Sequence, residues 1–204
     1  MNGTATPLPE WTEGYALLRD RIASFPGPDQ LRSVDLNGDD PELLRYWPRN
    51  DWVPANEYRR VILLGAPNPA VASSLSSAGW HETATLNLLA AKPEDVEQVV
   101  KLAETSTAFE APMDNYDVVE VAEFDRPVAR GRMHYGSTFG LLSDPDLCAP
   151  TNPDLARRAV LANFAGAAYS HDLPWILLVA AAEHSEAMTE GWSKATKISI
   201  WQQS

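Results

Sequence analysis

The order of elements between residues 116 and 192 constrains this chain more than any other part of it. Two alternating runs, 116–124 (YDVVEVAEF) and 128–135 (VARGRMHY), flank the turn tripeptide Asp125, Arg126 and Pro127, which predicts a β-hairpin. A third strand-like run, 138–144 (TFGLLSD), follows Gly136 and Ser137. A helix then begins: Asn152 can cap it, Pro153 suits the first helical position, and Asp154 sets a carboxylate beside the positive end of the dipole. Leu155, Ala159, Ala162, Gly166 and Tyr169 recur at helical spacing, giving a small apolar face to lay on a sheet, and His171 with Asp172 ends the helix. The run 175–182 (WILLVAAA) predicts a buried central strand, and a short helix leads from Glu183 to Gly191 and Trp192.

Upstream, residues 10–24 show helical spacing at Trp11, Tyr15, Leu18 and Ile22, whereas 25–56 is rich in Pro, Gly and Asp and reads as irregular chain. Tyr46, Trp47 and Trp52 lie in that stretch, where they either line a pocket or pin the loop to the body. Residues 60–66 (RVILLGA) predict a buried strand, Asn68 and Pro69 a helix start, Gly79 its end, and 82–90 the next strand. The scheme of apolar strand, short helix, Gly-Trp and alternating strand occurs here and again from Trp175. That echo is either a decayed tandem repeat or a chance likeness of two ordinary units.

With 204 residues, of which 45% are hydrophobic, the chain can bury a substantial core. Its net charge of −12, from 28 acidic and 16 basic residues, argues against a nucleic-acid backbone or an anionic membrane as partner. Acidity suits a cationic acceptor such as an amine, or simply solubility. A single cysteine, Cys148, leaves no internal disulfide and fits a reducing, cytoplasmic setting, and the first residues lack a signal-peptide pattern. His81, His134, His171 and His184 lie apart without ligand spacing, so no metal is expected, and neither a G-x-S-x-G elbow nor a Walker loop occurs.

Several phrases together resemble the GNAT acetyltransferase superfamily: VAEFDRPVARGRMHYGS its second and third strands, NPDLARRAVLANFAGAAYSHDLP its acetyl-CoA helix, WILLVAAAEHSEAMTEGW its closing strand and helix, and TLNLLAAKPEDVEQVVKLAE (85–104) its opening strand and first helix. The resemblance implies an α/β fold with a mixed, mostly antiparallel sheet flanked by helices. Residues 82–204 would form a GNAT-like acyltransferase domain. Residues 1–81 would form an N-terminal α/β segment packed beside it, or a decayed half-domain. It further implies acetyl-CoA as co-substrate and a small-molecule amine as acceptor, and leaves a homodimer open.

The family's phosphate-cradling loop, Arg/Gln-x-x-Gly-x-Gly/Ala, finds its best register here at Ala156, Arg157, Arg158, Ala159, Val160 and Leu161, with the basic and small positions replaced. By the same resemblance Leu147, Cys148 and Ala149 would receive the pantetheine arm and hold an oxyanion, although Pro145 and Pro150 interrupt the run. The expected proton-donating tyrosine before Gly191 is missing. His184 is the candidate acid or base in its place, or a surface histidine, and Asp144 is the candidate base, or a turn residue; Glu120 and Glu123 face opposite sides of their strand, so at most one of them points into the cleft. The altered loop and missing tyrosine equally suit a catalytically silent GNAT-fold protein kept for binding or assembly.

Overall fold

The computed structural model describes residues 6–50, 52–186 and 190–203. In chain order its elements are α1 (Trp11–Leu17), β1 (Ile22–Gly27), β2 (Gln30–Val34), β3 (Glu42–Tyr46), β4 (Arg60–Leu64), α2 (Pro69–Ser77), β5 (Trp80–Ala91), a 3₁₀ turn (Pro93–Asp95), β6 (Ser106–Pro112), β7 (Asp117–Glu123), β8 (Arg126–Tyr135), β9 (Phe139–Ser143), β10 (Asp146–Leu147), α3 (Pro153–Ser170), β11 (Trp175–Ala181), α4 (Ala182–Glu186) and β12 (Ser193–Gln203). This is the expected α/β architecture, a mixed and mostly antiparallel sheet flanked by helices. Two compact units divide the chain after Leu88, inside β5, and the residues from Ala195 onward belong with the first unit.

In the first unit the strands run in the order β1-β2-β3-β4-β12-β5. β3 and β4 run parallel, from Glu42 opposite Arg60 to Tyr46 opposite Leu64. The stretch expected to be irregular thus carries β1, β2 and β3. Its alternation was masked because polar residues take inward positions: Ser33 and Glu42 are buried beside Leu31, Leu43 and Leu44. Their polarity is satisfied internally, since the Glu42 carboxylate accepts from Ser33 Oγ at 3.2 Å and meets Arg19 at 2.9 Å, Arg21 at 3.1 Å and Arg60. The helix expected over 10–24 stops at Leu17, because Asp20 turns left-handed (φ 55°) and Ile22 enters β1. Trp47 and Trp52 pack on the core of Leu43, Val61, Leu63, Val71, Leu75 and Trp201, so they pin the loop to this unit.

In the second unit the order is β11-β9-β8-β7-β6, with β10 on β8. Here β9 and β11 are the parallel pair. The hairpin turns on Phe124 and Asp125 (φ 49° and 62°), not on 125–127, because two left-handed residues match the strands' twist. Pro127 is accommodated where the register shifts between β7 and β8. The first helix expected within 85–104 is only the turn Pro93–Asp95. Beyond it Val96, Val100 and Leu102 pack on the core while Val99 is exposed, so a period of two wins over 3.6.

Helix α3 starts where the sequence placed it: Asn152 Oδ1 accepts the Leu155 N–H at 3.0 Å, and Pro153 opens the first turn. Its face of Ala156, Val160, Phe164, Ala165 and Ala168 is buried on the sheet core. Fully burying Phe164 and Val160 is worth roughly 1.5–3 kcal/mol each. The approach is closest at Gly131 on β8, where a Cβ would come within 2.4 Å of Val160 Cγ1 and 2.9 Å of Phe164 Cε2. That glycine sets the height of α3 over β8.

Candidate functional site

The parallel pair β9/β11 stays zipped to its carboxyl end. Ser143 faces Val179, and the Asp144 N–H donates to Val179 O at 3.0 Å. Asp144 is therefore delivered at the end of β9, where open α/β sheets receive ligands. Because α4 follows β11 directly, its early turn brings His184 to the same end, and α3 contributes Arg157 from its second turn.

These three side chains meet. His184 Nδ1 lies 2.5 Å from Asp144 Oδ2, Arg157 Nε lies 3.4 Å from Asp144 Oδ1, and Arg157 Nη2 lies 3.2 Å from His184 Nδ1. A carboxylate so near Nδ1 assigns the proton to that nitrogen, which donates to Asp144. Arg157 then cannot donate to it. Its Nη2 is also 3.5 Å from Nε2, nearly as near as to Nδ1, which places the guanidinium against the ring rather than along a lone pair. Nε2 is left as the basic nitrogen. Asp144 and Arg157 are mostly buried, at 19% and 18% side-chain exposure, while His184 at 38% opens to solvent.

The other candidates lie elsewhere. Arg158 is turned to Glu97, donating at 2.9 and 2.8 Å, and those hydrogen bonds hold the Glu97 carboxyl below the usual carboxylate range. Ala159, Val160 and Leu161 are buried inside α3 rather than exposed in a loop. The helix is already formed by Ala156, whose N–H donates to Asn152 O. Leu147 pairs with Ala129, and the Cys148 N–H donates to Val128 O at 2.8 Å, so that amide is not free for a pantetheine arm or an oxyanion. Ala149 turns left-handed at φ 48°. Ala187, Met188 and Thr189, part of the segment searched for a tyrosine, lie outside the described residues.

A further carboxylate bears on the start of α3. Glu123, at the end of β7, accepts the Thr151 N–H with both carboxylate oxygens at 3.2 Å and the Thr151 hydroxyl at 2.6 Å. It thus brings negative charge to the start of α3, where a ligand's phosphate would be favoured. No local pattern marks its bond to Thr151, because that partner is 28 residues away. Among the described residues no group of three or more His, Cys, Asp or Glu side chains is placed to hold a metal ion. Among them also, no helix is long and apolar enough to cross a membrane.

No family model matches the sequence, and neither does any curated protein. Solved structures do match in shape. A GCN5-related N-acetyltransferase from Kribbella flavida superposes with a TM-score of 0.60 at 13% identity, covering 93% of this chain and 91% of that one. A functionally unknown conserved protein from Staphylococcus epidermidis gives 0.67 at 7% identity over 96% and 98%. A tandem GNAT protein from the clavulanic acid biosynthesis pathway gives 0.57 at 8% over 97% and 89%. The chain has the fold of the GCN5-related N-acetyltransferases.

Proposed function

We propose that the second unit is an N-acyltransferase that moves an acetyl group from acetyl-CoA, as co-substrate, to a small-molecule amine. The observation that carries this reading is the pairing of Asp144 with His184 at the carboxyl end of β9/β11, where neither side chain serves the core. The thioester supplies the acyl carbon. The amine nitrogen forms the new C–N bond as the C–S bond breaks, His184 Nε2 takes the proton from nitrogen, and that proton returns to the departing sulfur. Asp144 holds Nδ1–H, so the imidazole is oriented and its developing positive charge balanced, and Arg157 keeps the carboxylate in place. A net charge of −12 favours a cationic acceptor, whose ammonium gives one proton to solvent before its nitrogen attacks. We place the reaction in the cytoplasm, where acyl-CoA donors and a free Cys148 thiol coexist.

A second reading draws on Glu123. With its carboxylate at the start of α3 and the Cys148 amide engaged, the groups that would receive a diphosphate and pantetheine are already occupied. This favours a GNAT fold retained for binding without transfer. Titration of the full chain with acetyl-CoA, followed by calorimetry and melting temperature, separates the two. Saturable stabilisation, weakened for a dephospho analogue and followed by thiol release when amines are added, supports the transferase. No response at millimolar ligand overturns it.

A further inference from the structure

The first unit carries a cavity that the acyl-transfer reading does not use. It measures about 240 Å³ and opens beyond the carboxyl ends of β3 and β4, at Tyr46 and Leu64. Its existence follows from how the chain leaves those strands. After Tyr46, Trp47 turns to the opposite face and packs there against Trp201. After Leu64 the chain turns at Gly65, whose φ of 96° only glycine adopts readily, and Gly65 N–H is tied to Lys197 O at 2.8 Å. The described residues of neither connection cover the Tyr46/Leu64 face, so a crevice remains at the place where parallel strands receive ligands.

The lining defines the guest. Leu64, Leu88 and Trp11 form a buried apolar floor, while Tyr46, Ala195 and Thr196 stand at the rim. Trp11 is held by Tyr15, ring centroids 6.4 Å apart, so that wall is preformed. Among the described residues no Asp, Glu, Lys, Arg or His lines the space, and the lining side chains able to hydrogen-bond are Tyr46 and Thr196, through their hydroxyls, and Trp11, through its indole N–H. An ionised group would lose its hydration there without a partner. The volume is below the roughly 300–1,000 Å³ of pockets for drug-sized ligands, so it suits one ring.

We infer that the first unit binds a small, uncharged, ring-sized molecule carrying one hydroxyl or N–H group, its ring on Trp11, Leu64 and Leu88 and its polar atom at Thr196 or Tyr46. This site stands apart from the acyl-transfer reading and survives if that reading fails.

The test titrates the full chain with 4-methylphenol and, separately, with 4-methylbenzoate, following the indole N–H of Trp11 by NMR. The resonance is assigned through Trp11→Phe. The expected result is a saturable shift with 4-methylphenol at roughly 0.1–1 mM, the range open to a ligand of this size, and none with the carboxylate. Ala195→Trp, at an exposed rim position, should weaken the phenol about tenfold or more by filling the mouth, without moving the melting temperature. Thr196→Trp is the second variant should Ala195→Trp alter the fold. A Trp11 signal that does not respond, equal binding of the carboxylate, or an affinity untouched by both rim variants each overturns the proposal. The acetyl-CoA titration is read independently at the second unit.

Discussion

The two units solve one architectural problem twice and use it differently. Each sets a parallel pair, β3/β4 or β9/β11, beside antiparallel strands, and follows it with a short helix and a long strand. They differ in the link within the pair and in where charge is buried. In the second unit the link includes α3, whose Arg157 reaches the carboxyl end and meets Asp144 and His184. In the first unit the described residues between Tyr46 and Arg60 form no helix, and an apolar cavity is left at that end. The buried carboxylate there, Glu42, sits at the amino end of β3, neutralised by arginines. Charge at the amino end serves the fold, whereas charge at the carboxyl end is placed where ligands arrive.

The largest effect that would sharpen this contrast is on chemistry. His184→Ala should lower acetyl-CoA-dependent thiol release by roughly 10²–10⁴-fold and leave 4-methylphenol binding unchanged. Loss of both together would break the distinction between the units. Next comes the buried carboxylate of the first unit. Glu42→Ala removes the carboxylate shared by Arg19, Arg21 and Arg60, leaving Arg21 only Asp40 as an acidic partner, and should cost about 3–5 kcal/mol in urea unfolding. If instead that variant unfolds at the wild-type midpoint, the network is not the support described.

Smaller effects probe α3. Gly131→Ala puts a methyl against Val160 and Phe164, so it should cost about 1–3 kcal/mol and lift the helix that carries Arg157, read by thermal denaturation alongside activity. Glu123→Gln removes the charge at the start of α3 and should raise acetyl-CoA affinity about two- to fivefold by calorimetry. An unchanged affinity would mean the diphosphate does not meet that helix end. The smallest effect is acid-linked. Because Arg158 lowers the folded-state pKa of Glu97, that pair's contribution is present above the unfolded carboxylate pKa and fades as pH falls through the lowered value. Glu97→Gln should therefore flatten slightly the melting-temperature slope between neutral pH and about pH 3.

Where the sequence was legible, the signal was local. Asn152 with Pro153 and Asn68 with Pro69 opened helices at those positions, since a cap and a proline act on the next few amides. The apolar runs at 60–64 and 175–181 became buried strands, since a run apolar on both faces has few other places to go. Over 93–104 the reading failed because a helical phrase and a period of two share the same valines, and packing against the sheet core chose between them.

The sequence by itself therefore determined the order of strands and helices around α3 and, through it, the class of fold. Only the tertiary structure decided that Ser33 and Glu42 face inward, that Arg157 turns to Asp144 and His184 while Arg158 turns away, and that Glu123 reaches the start of α3. The physical reason is distance along the chain. Asp144 and His184 are 40 residues apart, Arg157 and His184 are 27, and Glu123 and Thr151 are 28. No propensity or spacing rule spans such gaps, and only the pairing of β9 with β11 and the seating of α3 on Gly131 close them.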